Sequence, residues 1–182
     1  MKKIEGGDWG SMFTDKMKWR YAFGANLERV MKSVGYSQKR LAEETGMAQS
    51  TISSYIRGEY SPSITSVVVM CQVMCVDYNV LLEADLSEPI VRRYEFFNEP
   101  LGEAQWADDF GMIFRTMLLK ESCSQSELSF GTGISQGLIS KYLKGYTIPS
   151  AYAIMRIAHY LAYEDNYDEL IELGRVEIRR GW

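Results

Sequence analysis

Cysteine and histidine are scarce in this 182-residue chain, with three Cys and one His. Cys71 and Cys75 sit one helical turn apart and Cys123 stands alone. That is too few for a disulfide framework, and a bridge between residues four apart on a helix has poor geometry. One histidine and no second cysteine pair leave a tetrahedral metal site without ligands. The cysteines therefore read as small buried hydrophobes in a reducing cytosol, and His159 as a structural residue. Long apolar runs are missing too. The longest, Val67 to Val76, is interrupted by Gln72 and is too short to span a bilayer. Met1-Lys2-Lys3 is followed by no apolar stretch, so no signal peptide is expected and the cytoplasm is the expected compartment. Positive charge is not in excess: 20 Lys+Arg face 24 Asp+Glu, for a net charge of −4, which argues against a generic nucleic-acid coat protein. Enzyme signatures are also lacking. There is no phosphate loop and no Ser/His/Asp set, and Gly131-x-Gly133-x-x-x-Gly137 has the wrong third spacing for a dinucleotide loop. No catalysis and no cofactor are expected. The composition, 46% hydrophobic and 24% charged, is that of a globular chain with room for one ordinary domain or two small ones.

What the chain does contain is an internal repeat at an offset of 87 residues. Trp19-x-x-x-Phe23-Gly24 recurs as Trp106-x-x-x-Phe110-Gly111. Ser37-Gln38-x-x-Leu41-x-x-x-Thr45-Gly46 recurs as Ser124-Gln125-x-x-Leu128-x-x-x-Thr132-Gly133. Ile52-Ser53-x-Tyr55-x-x-Gly58-x-x-x-Pro62 recurs as Ile139-Ser140-x-Tyr142-x-x-Gly145-x-x-x-Pro149. Two copies without a gap mean a duplicated small domain rather than a solenoid.

Each copy reads as a run of short helices. Leu27, Val30 and Met31 have helical spacing, as do Phe114, Met117 and Leu118. Ser37 and Ser124 are N-caps, and Gly46 and Gly133 close the helices that follow. Residues 48–58 and 135–145 are short helices with a buried Ile/Tyr stripe, a basic last turn and a C-terminal Gly. Helices are expected at Ile64 to Met74 and Ala151 to Leu161, and a fifth around Asn79 to Glu83 and Tyr167 to Leu173. Gly131 and Gly137 are expected to loosen two helices of the second copy.

The run Ser37 to Pro62, and with more drift Ser124 to Pro149, resembles the phage Cro/repressor-type helix-turn-helix family, also called the xenobiotic-response-element type. Ala42 takes the tight helix-packing position, where the second copy has Ser129. The resemblance covers both copies, and implies an all-α fold of two five-helix, lambda-repressor-like domains. The expected layout is an N-terminal arm (1–18), domain 1 (19–84), a docked linker (85–105), domain 2 (106–173) and a C-terminal tail (174–182).

In such a unit the second helix of the motif lies in the major groove and only its outer face reaches base edges. By resemblance those positions are Gln49, Ser50 and Ser54 in the first copy and Gln136, Gly137 and Lys141 in the second. Gln pairs with adenine N6/N7 and Lys donates to guanine O6/N7. Gln38 and Gln125, opening the preceding helices, and Arg57 and Lys144 are placed as phosphate contacts. Thr51 and Leu138 point partly inward and could touch a thymine methyl, although packing explains them as well. Taken alone, Gln, Ser and Lys on an exposed helix are ordinary solvated residues; the surrounding framework gives them a role.

Three segments fall outside the repeat. Residues 1–18 read as a glycine-containing arm with Trp9 and Phe13 as anchors. The linker centre, Pro89 to Phe97, is too apolar for a free tether, and it and the tail from Arg175 to Trp182 are β-prone. One expectation is that these two pair and clamp the domains; the other is that each covers its own domain.

The function these observations imply is a sequence-specific double-stranded DNA-binding regulator of the repressor kind, reading two unlike half-sites. Homodimerisation is left open, as is a protein partner through residues 89–97 or 175–182; no membrane is involved. The alternative is a helix-turn-helix chain repurposed to bind protein, as an antitoxin, antirepressor or anti-defence inhibitor. The acidic balance, the ten Met and the linker aromatics favour it. The charge distribution tempers the acidic total: residues 128–163 carry Lys141, Lys144 and Arg156 and no acid.

Overall fold

The structure is a computed structural model that describes residues 15–82, 90 and 103–161. The expected arm up to residue 14, the helix at Tyr167 to Leu173, and the strands and clamp of the linker and tail lie outside the described residues. Of the linker, Ile90 is described, and it packs against the core.

The described residues form nine α-helices and no named strand. The first copy supplies α1 (Lys16–Val34), α2 (Gln38–Thr45), α3 (Gln49–Ile56), α4 (Ile64–Met74) and α5 (Tyr78–Leu82). The second supplies α6 (Glu103–Lys120), α7 (Gln125–Thr132), α8 (Gln136–Leu143) and α9 (Ala151–Leu161). Helices α1 and α6 thus begin inside the segments assigned to the arm and the linker. Asp15 accounts for the early start of α1, because its carboxylate accepts the Met17 and Lys18 amides.

The cores follow the apolar spacing. Trp19, Phe23, Leu27 and Val30 line the buried face of α1, and Phe110, Ile113, Phe114 and Met117 that of α6. Trp19 Nε1 donates to the Leu82 carbonyl at 3.2 Å, tying α1 to the end of α5. The buried Asn26 amide donates to the Val80 carbonyl, a second tie between the same helices. Both satisfy a polar group that would otherwise be buried at a cost of about 1–3 kcal/mol.

Gly24 and Gly111 decide how closely the first helix approaches the third. A Cβ on Gly24 would lie 2.6 Å from the Tyr55 carbonyl oxygen, and one on Gly111 2.9 Å from that of Tyr142. Only glycine lets α1 and α6 rest on the ends of α3 and α8. Gly131 has a packing role beyond its effect on helix propensity. A Cβ there would strike the Tyr160 ring from α9, so glycine is required for the packing of α7 on α9.

The two copies meet through equivalent residues. The first amide of α4, on Ile64, donates to the Pro149 carbonyl at 3.2 Å, and the first amide of α9, on Ala151, donates to the Pro62 carbonyl at 2.9 Å. Ser63 and Ser150 form the antiparallel bridge between these bonds. Helix α9 packs against α4 and α5, and the Trp19 and Tyr152 rings lie 5.5 Å apart. The two proline hydrogen bonds exchange under the 87-residue offset and the serine bridge maps onto itself, which is the signature of a two-fold relation. The ring contact is not repeated in kind, because Thr65 stands where the repeat places Tyr152.

Candidate nucleic-acid interface

The turn between the second and third helices of each copy is built by a Thr-Gly pair. Thr45 donates its hydroxyl to the Leu41 carbonyl at 2.6 Å and accepts the Met47 amide at 3.3 Å. Thr132 does the same with Leu128 at 2.6 Å and Ile134 at 3.2 Å. Gly46 and Gly133 follow with φ of 72° and 67°, a conformation costly for other residues. The chain then starts the next helix immediately, so α2 and α3, like α7 and α8, share one geometry.

Ser37 and Ser124 cap the first helix of each pair, accepting amides from Arg40 at 3.1 Å and Glu127 at 3.2 Å. In the second copy Glu127 returns the favour by accepting the Ser124 amide at 2.9 Å, completing a capping box. These hydrogen bonds hold the Glu127 carboxyl below the usual carboxylate range. Gln38 and Gln125 occupy the first helical positions, half-buried, where helix amides face outward.

On the third helix of each copy the buried stripe is Ile52 and Tyr55, or Ile139 and Tyr142. Burial pushes the Tyr142 hydroxyl up to about 12. The opposite face holds the expected contact residues. Gln49, Ser50, Gln136, Gly137 and Lys141 are exposed, and Ser54 is half-buried. Arg57 and Lys144 are the exposed C-caps of α3 and α8. Leu138 is partly exposed and Thr51 half-buried, so both reach the edge of the face.

In the second copy several of these residues come together. A groove of about 480 Å³ is lined by Gln125, Gln136 and Lys144, with Ser126, Ser140 and Arg115. Arg115 was missed by sequence reasoning. Its Nη2 donates to the Leu143 carbonyl at 3.0 Å, which anchors the guanidinium at the mouth of this groove. The available signal was its repeat counterpart, Glu28, which has the opposite charge.

A helix-turn-helix family profile matches at residues 27–79 and again at 114–167, more than half of the chain. The chain belongs to the helix-turn-helix family of Cro/C1 type. Neither a curated protein nor a solved structure matches it. Both family matches contain the turn and the third helix described above. Membership implies DNA binding and a transcriptional regulator, and the family is not usually catalytic. No helix among the described residues is long and apolar enough to cross a membrane. No metal-ligating cluster occurs among them, and Cys71, Cys75 and Cys123 form no disulfide.

Proposed function

We propose that this helix-turn-helix chain is a sequence-specific repressor of the phage or mobile-element kind, acting in the cytoplasm on the nucleoid. Two modules, within 19–84 and 106–173, read an asymmetric operator of two half-sites. Helices α3 and α8 enter successive major-groove faces, which are about 34 Å apart. Gln49, Ser50 and Ser54 read one half-site, and Gln136, Gly137 and Lys141 the other. Gln38, Gln125 and Lys144 hold phosphates, and Arg57 stands where the first module has the counterpart of Lys144.

The observation that carries this reading is the reciprocal pair of hydrogen bonds between Ile64 and Pro149 and between Ala151 and Pro62. A pair of modules joined through equivalent atoms presents its reading helices in opposite senses, as a symmetric dimer does. One chain then suffices for an operator that would otherwise need two. The half-sites should run in opposite directions yet differ in sequence, because the reading residues differ. Site selection from random duplexes tests this: two unlike, inverted half-sites are expected, and a strict palindrome or a direct repeat would count against it.

A protein-binding adaptor is the second reading, favoured by Phe130, which projects from α7 with 95% of its surface exposed. The methionines support it less, since Met31, Met70, Met74, Met117 and Met155 are core residues. DNA affinity against salt separates the two: no binding to duplex at low salt would favour the adaptor.

A further inference from the structure

The two reading surfaces share a backbone but not a charge. Gly58 and Gly145 both have φ of 69°. The next amide folds back onto the third helix in each copy, Glu59 to the Ser54 carbonyl at 3.0 Å and Tyr146 to the Lys141 carbonyl at 2.9 Å. What stands on this common turn differs. In the first copy Glu59 grips Arg57 in a bidentate pair, Nε to Oε1 at 2.6 Å and Nη2 to Oε2 at 3.1 Å. The Ser53 hydroxyl accepts from Nη1, and the Ser54 hydroxyl accepts from Nη2 at 3.2 Å. The guanidinium is therefore largely committed before any ligand arrives, although its side chain is 53% exposed. Hydrogen bonds from Arg57 and Ser54 hold the Glu59 carboxyl down to about 2, so it is ionised under any ordinary condition.

Three further cations of this module are also matched by carboxylates, and Arg20 Nη1 donates to the Glu59 main-chain carbonyl at 2.8 Å. Lys39 lies 3.8 Å from Glu43, Arg40 2.7 Å from Glu44, and Lys32 3.1 Å from Glu28. The second copy reverses the pattern. Tyr146 replaces Glu59, Lys141 replaces Ser54, and Arg115 replaces Glu28. Lys144 Nζ sits 5.9 Å from the Tyr146 ring, a contact that leaves its charge in place. Among the described residues no carboxylate forms an ion pair with Arg115, Lys141 or Lys144.

We propose that Glu59 is a built-in substitute for a DNA phosphate, which occupies Arg57 and mutes the first module, so that the second module anchors the chain on DNA. This rests on the DNA-binding reading above. The geometry supports it because a carboxylate and a phosphate compete for the same bidentate face of a guanidinium. A phosphate arriving at Arg57 must displace Glu59 and then lie beside the displaced negative charge. An already neutralised arginine also releases no counterion from DNA, so it adds little to non-specific affinity. The first module is left to read bases through Gln49 and Ser50, while the groove of Arg115, Gln125 and Lys144 supplies the phosphate grip.

The test is the affinity of the full chain for a mixed-sequence duplex of about three helical turns, measured against salt. Glu59→Gln should tighten binding about fivefold and steepen the log–log salt slope by about 0.9, the value for one added phosphate contact. Lys144→Ala should weaken binding and flatten the slope by about the same amount. Tyr146→Glu, which installs the first module's arrangement in the second, should follow Lys144→Ala. Thermal melts check that each variant is folded; Glu59 and Tyr146 are exposed, so intact folding is expected. If Lys144→Ala flattens the slope while Glu59→Gln leaves it unchanged or weakens binding, the role of Glu59 is overturned and DNA binding stands. If the wild-type chain shows no salt-dependent binding, both are overturned.

Discussion

Ser63 and Ser150 face each other across the two copies in an antiparallel bridge, and each also caps the helix that follows it. The first amides of an α-helix have no partner within it. Here the Ser hydroxyls satisfy one amide of α4 and one of α9, and the opposite module's proline carbonyl satisfies another. Joining the copies thus completes both helix starts, which gives the contact a defined register.

This contact predicts that the modules move as one unit. Tyr152→Ala removes the ring beside Trp19 and should loosen the union while leaving each module helical. Affinity for a duplex with both half-sites should fall, and affinity for a single half-site should hold. Equal losses on both duplexes would show that Tyr152 acts within its own module.

Base reading predicts separable effects for the two glutamines. Gln49→Ala and Gln136→Ala should each relax preference at a different half-site, by about 1–3 kcal/mol for a bidentate contact. Uniform weakening across all sequences would reassign them to phosphate positioning.

Two glycines predict opposite stability changes. Gly24→Ala places a Cβ 2.6 Å from the Tyr55 carbonyl and should cost about 1–3 kcal/mol by forcing α1 off α3. Gly137 has open space where its Cβ would go. Gly137→Ala should therefore stabilise α8 by about 0.5–1 kcal/mol. It should also weaken binding at the second half-site, because the added methyl stands on the exposed face that is proposed to meet DNA. Denaturant midpoints check the stabilities; a stable Gly24→Ala would contradict the close approach.

Acid should destabilise the fold. Glu44, Glu59 and Glu127 are all held below the usual carboxylate range, chiefly by side-chain hydrogen bonds from Arg40, Arg57 and Ser124 respectively. A group whose folded pKa is depressed adds stability above its unfolded pKa and loses it as pH falls through the folded one. Urea midpoints should be level down to about pH 5 and decline below it. The Glu59 share should be lost progressively from about pH 5 downward and be spent as pH nears 2. Glu127→Ala should reduce the decline, and a midpoint that rises on acidification would contradict these pairings.

Much of the fold was legible because local rules and the repeat agreed. The Ser37 and Ser124 caps, the Thr-Gly turns and the bounds of α4 and α9 follow from residues close in sequence. The exposure of Gln49, Gln136 and Lys141 followed from the position of the Ile/Tyr stripe. The start of α1 was missed because Asp15 was not read as a cap. The packing reason for Gly131 was missed because the ring that requires it belongs to a helix 20 residues or more away in the chain. Arg115 was missed because its place beside Gln125 and Lys144 depends on the packing of α6 against α8.

Residue order alone reveals two copies of one helical unit, the residues on each outer helix face, and a near-neutral but unevenly distributed charge. Those properties depend on spacing of a few residues and on counting. How the copies face each other, and which charges are available, emerges from the folded packing. The pairing of Pro62 and Pro149 with the helix starts of the other copy, and the closing of Glu59 onto Arg57, depend on where backbone amides and side chains end up in space. The linear order leaves both open, because one hydrogen bond or one ion pair is decided by ångströms that residue spacing does not encode.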